Sequence, residues 1–550
     1  MLALFAALPI LLVLALMLGL GWPASRAGIA GAALALVVAI LGFGFGSDVL
    51  PEVGLAGGLA GVAAEAGFTS LTILWIILPA LAIYHLQVAT GGTDVLRVAL
   101  GRLSGDPRIL ALLIAWFFTL FMEGGAGFGS PVALAAPFLV GVGYRPLVAV
   151  VIAMIGNGVG VSFGAIGTPI VPMVAATDFS ALELSGASAI YHLAFGLVPL
   201  VVMMFIASRG TGTRMTGAIW GWTLFAGAAF LVPMWAIATF VGPELPTLGG
   251  ALVGMALFVG VLVVRRPQDV EVADGDDGMP GGNTEVAGGN AEVAGADSAG
   301  AHGHEATGAL PGEVPEELAN VDTGVVALLR AGAPYLILIG LVLLTRLVTP
   351  VADTLDAAVL SWTLEGGFTG SMSPLTHPGT LLVLSFLLGA AVQRVDIGTL
   401  LHAITATLRQ LVPVSIALLA MLLLARLMVR SGMTEALATA AADSTASAWP
   451  VLAPLVGVLG TFVTGSGTAS NVLFTDLQVA TAEKLGYDTL PLLGAQNFGA
   501  SVGNPIAPHN IVAGGATVGL TGGEADVMRR TIGITLVYAL LGGLLALLLV

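Results

Sequence analysis

Glu123 carries the strongest chemical implication in this chain. It opens the run EGGAGFGSP (123–131), inside sequence otherwise apolar enough for a bilayer. An ionisable side chain at membrane depth is costly and marks an ion or proton path by default. Such a carboxyl can carry a proton that offsets the charge of an incoming anion. The competing role is a structural carboxylate that caps a turn by accepting backbone N–H groups. Asp476, five residues after Asn471, is a second candidate for proton coupling. His509 is a third, because an imidazole titrates near neutrality, against the plainer reading of a packed, hydrogen-bonded histidine. Tyr84 and His85 end an apolar stretch and read as interfacial.

The glycines around Glu123 have a second copy. From Val463 the chain reads VTGSGTASN, so that Gly125, Gly127 and Ser130 correspond to Gly465, Gly467 and Ser470. Asn157 keeps the same offset and corresponds to Asn497. The segments GVSFGAIGTP (Gly160 to Pro169) and GASVGNPIAP (Gly499 to Pro508) share the pattern G-x-S-x-G-x-x-x-x-P. Backbone that cannot stay helical is tolerated at membrane depth only where protein buries it or a watery cavity meets it. Corresponding interruptions in two halves are the sequence signature of a transporter's central site. Val463 stands where Glu123 would recur, so any coupling through Glu123 is asymmetric.

Half-helix ends in such a site offer unpaired N–H groups and a partial positive charge of about +0.5 each, suited to a carboxylate. Gly125, Gly127 and Gly467 permit close backbone approach. Ser130, Ser162, Thr168, Ser466, Thr468, Ser470, Ser501, Asn157, Asn471, Asn497 and Asn504 add neutral polar groups. No Arg falls inside these motifs. Neutral donors suit an anion that must later leave. The alternative is that the small residues only let helices pack closely; the pairing of the whole set across two halves argues for a site. The G-A-G-F-G run lacks the full G-x-G-x-x-G and a preceding strand, so it is not a dinucleotide loop.

The elements that must position these residues follow from composition. The 550 residues are 57% hydrophobic and 9% charged, where a soluble domain carries about 25% charged residues. This is a polytopic membrane protein. There is no cysteine, which excludes disulfides and thiol ligands. The net charge of −15 is largely local: the stretch 268–322 holds thirteen acidic residues and no Lys or Arg. Its EVAGG-like repeats cannot bury enough apolar surface to fold, so 267–322 reads as an acidic disordered cytoplasmic linker between an N-terminal half (1–266) and a C-terminal half (323–550). His302 and His304 within it read as solvated rather than metal-binding. Residues 1–20 lack a basic n-region and read as a retained span rather than a cleaved leader.

A crossing needs about 20 apolar residues. Candidates lie at 2–20, 28–46, 58–86, 189–207, 217–241, 248–264, 331–349, 380–392, 410–430 and 531–549, with an amphipathic surface segment at 87–107. The pieces 109–122 and 131–143 are too short to cross and read as a re-entrant hairpin entering from the cytoplasm, with Arg108 and Arg145 at its feet. The pair 450–464 and 472–485 reads as a second hairpin, entering from outside. Segments 146–178 and 489–512 read as broken spans. The expected fold is all-α, with about twelve crossings, two hairpins and two inverted repeats. Arg426 and Arg430 fall on the outer side in this arrangement and run against the positive-inside bias.

The residues EGGAGFGSPVALAAPFL, Gly-Tyr-Arg-Pro at 143–146 and IGNGVGVSFGAIGTP resemble the L-lactate permease family, as do TGSGTASNVLF and GAQNFGASVGNPIAPHNI in the second half. The resemblance covers nearly the whole chain. It implies a proton-coupled symporter of lactate, glycolate and related 2-hydroxy monocarboxylates in the plasma membrane, grouped with ion transporters built from inverted repeats. The partners expected are a small monocarboxylate, protons and the lipid bilayer, with a homo-oligomer allowed and no nucleic acid or cofactor. Two other readings are a Na⁺-driven carrier, whose ion broken-helix carbonyls would hold, and a passive anion channel. An enzyme is disfavoured: there is no HExxH motif and no nucleophile–base pair.

Overall fold

The computed structural model describes residues 2–127, 129–265, 321–520 and 523–550. The acidic segment, apart from residues 321–322, and with it His302 and His304, lies outside the described residues. Eight of the described helices are long and apolar enough to cross a membrane, or ten if each of two bent pairs is one span. The chain opens with α1 (Leu2–Leu20), α2 (Ala24–Phe43) and the 36-residue α3 (Gly54–Ala89), followed by the amphipathic α4 (Gly92–Gly101). In the second half α18 (Ile397–Arg430) matches α3 in length, with 34 residues. Both exceed the expected 58–86 and 410–430. Each carries one internal proline, Pro79 and Pro413, without ending there. These two helices pack along one another, with α2 against α18 and α1 against α2. Their shared core includes Ala27, Ile73, Met421 and Leu424.

A helical hairpin follows each long helix, and the first arm of the first one, Pro107–Gly125, is long and apolar enough to cross, where the sequence predicts a piece too short to do so. The first runs through α5 (Pro107–Ala111), a π-helical turn (Leu112–Phe118) and α6 (Thr119–Gly125), then returns as α7 (Ser130–Gly141). At its foot Asp106 caps α5 by accepting the Arg108 N–H. Desolvation pushes the Asp106 carboxyl up, but the hydrogen bonds and charge of Arg108 outweigh it and hold the group below its ordinary value. Then α8 (Pro146–Asn157) breaks at Gly158, and the chain continues through a 3-10 turn (Val161–Phe163), a kinked turn α9 (Gly164–Gly167) whose Ala165 and Ile166 are left-handed, and α10 (Val171–Ala176). The bend between the first two pieces is 56°.

Ser180 and Glu183 form a capping box, a reciprocal pair that satisfies two orphan N–H groups. They start α11 (Ala181–Phe195), which bends by 45° into α12 (Leu197–Gly210). The half closes with α13 (Gly217–Phe240) and α14 (Pro246–Val264).

The second half begins with α15 (Val325–Leu347) and α16 (Thr349–Asp356). The all-α expectation holds for the described residues apart from one addition: β1 (Leu360–Leu364) and β2 (Phe368–Met372) form an antiparallel ribbon. Its three-residue turn ends on Gly366 and Gly367, both left-handed, a common hairpin solution. The ribbon docks on α3 by burying Phe368 completely, worth roughly 2 kcal/mol. Arg430 holds it there: the guanidinium pairs with Glu65 of α3, donates to the Gly367 carbonyl at 3.0 Å and lies 4.5 Å from the Phe368 ring centre. Arg426 donates to the Ala175 carbonyl, 3.2 Å away at the end of α10. The two arginines that strained the charge bias are therefore structural.

After α17 (Pro378–Gln393), α18 and the surface helix α19 (Met433–Thr445), the second hairpin is α20 (Trp449–Thr464) and α21 (Gly467–Leu485). The second broken span is α22 (Thr489–Val502), a 3-10 turn (Asn504–Ile506) and α23 (Pro508–Ala516), and α24 (Glu524–Leu549) ends the chain. The two halves interlock. The far piece of each broken span packs on the other half's hairpin, α10 on α21 and α23 on α7.

Candidate functional site

This interlocking brings both hairpin tips and both broken stretches to one place. The first tip turns at Gly127 (φ +59°) and Gly129 (φ +81°), and Ser130 Oγ closes it by donating to the Gly127 carbonyl at 2.7 Å. The second ends α20 on Gly465 (φ +71°), the left-handed C-cap a side chain disfavours. Ser466 then caps α21, its Oγ accepting from Ala469 N at 3.3 Å. Asn510 of α23 joins the tips. Its Nδ2 donates to the Gly465 carbonyl at 3.3 Å, and its Oδ1 lies 3.4 Å from where a Cβ on Gly129 would stand.

Between these elements lies a cavity of about 30 Å³, room for one or two waters. Hairpin 1 contributes Glu123, Gly127 and Gly129, and the first break contributes Val161, Gly164, Ala165, Thr168 and Pro169. Hairpin 2 contributes Gly465, Ser466, Gly467 and Thr468, and the second break contributes Asn504. None of these lining residues is an arginine or lysine. Gly467 and Thr468 occupy the first turn of α21, where backbone N–H groups have no intrahelical acceptor. Thr468 Oγ1 and Thr168 Oγ1 lie 3.3 Å apart across the two halves.

Glu123 is nine-tenths buried, and its two oxygens differ. Oε2 accepts from Asn157 Nδ2 at 2.9 Å. Oε1 points at the first break: a Cβ on Gly164 would stand 2.2 Å from it and one on Gly127 3.4 Å. Glycine at 164 is what leaves room for the carboxyl on the cavity wall. Asn157 therefore stands behind Glu123 and orients it.

The other expected site residues divide into two groups. Gly127, Thr168, Ser466, Gly467, Thr468 and Asn504 line the cavity with Glu123. Gly125 packs against the Tyr335 ring, and Ser130 closes the tip. The rest are wired to protein. Asn471 Nδ2 donates to the Pro169 carbonyl (2.9 Å) and to Asn497 Oδ1 (2.8 Å), and Asn497 Nδ2 donates to Ser188 Oγ (3.0 Å). Ser470 Oγ donates to the Gly457 carbonyl at 2.8 Å. Ser501 Oγ donates to the Gly158 carbonyl (2.6 Å) and accepts from Ser162 N (3.0 Å), so the paired serines of the two repeats touch. Buried amides such as these are satisfied by protein, and they lock the two breaks at a fixed separation.

Asp476 lies away from the cavity, half-buried on α21, where Arg426, Arg430 and Glu65 supply its charged surroundings. His509 is exposed in the first turn of α23 and packs beside Gly465. Three residues were overlooked in the sequence. His192, fully buried on α11, bonds Ser162 Oγ and Tyr538 Oη, each at 2.8 Å. Glu65 carries the ribbon latch, and Asn510 joins the tips. Glu65 and His192 are ionisable residues inside apolar spans, so the rule that singled out Glu123 would have found both.

The family model for L-lactate permease matches residues 2–550. An L-lactate permease of Escherichia coli (strain K12) is 29% identical over 539 residues, covering 93% of this chain and 89% of that protein. One of Streptococcus iniae is 30% identical over 460 residues, covering 83% and 85%. A glycolate permease of Escherichia coli (strain K12) is 29% identical over 501 residues, covering 86% and 84%. Among solved structures, the YdaH transporter of Alcanivorax borkumensis superposes with a TM-score of 0.45 at 16% identity, covering 89% of this chain and 86% of that one.

Proposed function

The chain belongs to the L-lactate permease family, and from that premise we propose that it imports L-lactate and related 2-hydroxy monocarboxylates with a proton. It is a multi-pass protein of the plasma membrane, a transporter rather than an enzyme. The relatives named for lactate and for glycolate support this substrate class. The observation that carries the coupling reading is the cavity's make-up: one carboxyl, Glu123, faces neutral donors from the opposite hairpin, and among the described residues no fixed cation lines the wall.

The substrate carboxylate lies at the start of α21, held by the Gly467 and Thr468 N–H groups and the Ser466 and Thr468 hydroxyls. Glu123, protonated, faces it across the cavity. Anion and proton then travel as a neutral pair, so neither crosses the low-dielectric region alone. Alternating access follows if the two hairpin tips separate in turn. A cavity of about 30 Å³ must widen to admit a six-heavy-atom anion, and glycine tips are suited to such movement.

The topology we propose has twelve crossings, two hairpins and inverted halves. Twelve results when the Pro107–Gly125 arm is set aside as half of a hairpin and α1, α17 and the broken α22–α23 are counted as crossings. The matched order of a long helix, a surface helix, a hairpin and a broken span in each half supports it.

The test is uptake of labelled L-lactate into proteoliposomes with an imposed pH gradient, a sodium gradient or neither. Accumulation driven by the pH gradient alone is expected. Accumulation driven only by sodium would replace the proton with Na⁺, and equilibration without accumulation under either gradient would leave a passive pathway.

A further inference from the structure

Resting on that transport reading, we infer that Asn504 and Ala165 sort 2-hydroxy acids from other monocarboxylates. Asn504 accepts the substrate's hydroxyl, and Ala165 limits the group beside it. The two residues occupy the same place in the repeated pattern, five positions after Gly160 and Gly499. Both line the central cavity. One wall therefore presents an amide where its counterpart presents a methyl group.

The backbones explain why the walls differ. Ala165 (φ 42°, ψ 56°), Ile166 (φ 58°, ψ 45°) and Gly167 (φ +75°) form a left-handed turn. In the second half Pro505 follows Asn504, and proline cannot take positive φ. That stretch is a right-handed 3-10 turn. A left-handed alanine is disfavoured relative to glycine. An alanine held in that conformation on a cavity wall points to a use for its methyl group.

Asn504 is only 6% exposed, and its Oδ1 has no hydrogen-bond donor. A buried amide oxygen without a donor is uncommon and costly. The other polar side chains of the lining, apart from Glu123, are the hydroxyls of Thr168, Ser466 and Thr468, which with backbone N–H groups can serve the carboxylate. A carboxylate brings only acceptors, so it leaves Asn504 Oδ1 unpaired. The 2-hydroxyl of lactate or glycolate is the donor that fits, and rotation of the terminal amide brings either of its ends to the cavity. The carbon bearing that hydroxyl is tetrahedral. With its carboxylate on α21 and its hydroxyl on Asn504, its third substituent faces the remaining wall, built by Ala165 and Val161.

The experiment measures inhibition of labelled L-lactate uptake in proteoliposomes by unlabelled glycolate, propionate and 2-hydroxybutyrate. Propionate, which lacks the hydroxyl, should compete about ten- to hundred-fold more weakly than lactate on wild-type protein, the usual effect of an unpaired buried polar group. Asn504→Leu keeps the shape without the acceptor and should bring the lactate-to-propionate ratio close to one; Asn504→Ser provides a smaller replacement with a partial ratio. Ala165→Gly relieves the backbone and removes the methyl group, so 2-hydroxybutyrate should gain about fourfold relative to lactate while glycolate stays unchanged. A wild-type ratio in Asn504→Leu, or no gain for 2-hydroxybutyrate in Ala165→Gly, overturns the assignment. Equal competition by propionate and lactate on the wild type also overturns it. Failure of the wild type to take up lactate at all overturns the transport reading beneath it.

Discussion

Replacing Glu123 with glutamine removes a titrating group and keeps nearly everything else. The side chain has the same length, and its oxygen can go on accepting from Asn157 Nδ2, now 2.9 Å from Glu123 Oε2. Exchanging a charged acceptor for a neutral one there changes stability by about 1 kcal/mol. The effect on coupling is larger. One carboxyl on the cavity implies one proton per lactate. A pH difference of one unit is worth about 1.4 kcal/mol per proton, which supports about tenfold accumulation of the anion; two units support about a hundredfold. Glu123→Gln should reduce that ratio to one at any pH gradient. Exchange of labelled for unlabelled lactate should survive, because the donors on α21 remain. Net movement should also become sensitive to membrane potential, since lactate would cross as an anion rather than as a neutral pair. Proteoliposomes loaded at fixed internal pH, with matched amounts of wild type and variant, measure all three. A variant that accumulates lactate to the wild-type ratio refutes the assignment and moves the proton to Asp476 or His509.

The ribbon latch gives a stability prediction. Arg430→Gln strands the Glu65 carboxylate, whose side chain is 7% exposed against 26% for Arg430. The loss should be about 2–4 kcal/mol, slightly less than for a fully buried pair, and Glu65→Gln with Arg430→Gln should recover most of it. Thermal unfolding in detergent measures this, and a single variant as stable as wild type refutes it. For topology, the absence of native cysteine makes single-cysteine reporters direct: Thr369→Cys should react with an impermeant reagent in intact cells, and Gly288→Cys should not. The reverse pattern overturns the proposed orientation.

The hairpins and breaks were legible because glycine and proline act locally. Gly127 and Gly465 take a positive φ just past the end of a helix, and Gly129 takes one just before the next begins; no distant contact is needed to foresee it. What a polar residue does inside such a motif was less legible. Asn471, Asn497, Ser162 and Ser501 carry the same chemistry as Asn504 and Thr468, yet the first four satisfy one another and the backbone while the last two line the cavity. Spacing places a side chain near a break but does not decide whether protein or solvent meets its polar atoms. The ribbon was missed for a different reason. Leu360–Leu364 and Phe368–Met372 flank Glu365-Gly366-Gly367, a recognisable hairpin signal, but a short polar stretch between spans reads as a loop. Its anchor, Phe368 under Arg430, depends on Glu65 of α3, 304 residues from Thr369, and on the far end of α18, 63 residues from Gly367.

The two halves repeat one order of elements, and on the proposed reading their chemical differences fall where a symmetric site would fail. Glu123 corresponds to Val463, and Ala165 to Asn504. Two acids facing one cavity would repel each other and make loss of a single proton insufficient to release the anion. Two amides in place of Ala165 and Asn504 would give lactate's hydroxyl two equivalent seats and leave its methyl group against a polar wall. Proline at 505 makes the second difference a property of the backbone as well as the side chain, because it bars the left-handed turn that sets Ala165 on the wall. Pairs such as Ser162 with Ser501 are shared because they hold the two breaks together, and that task is the same seen from either half.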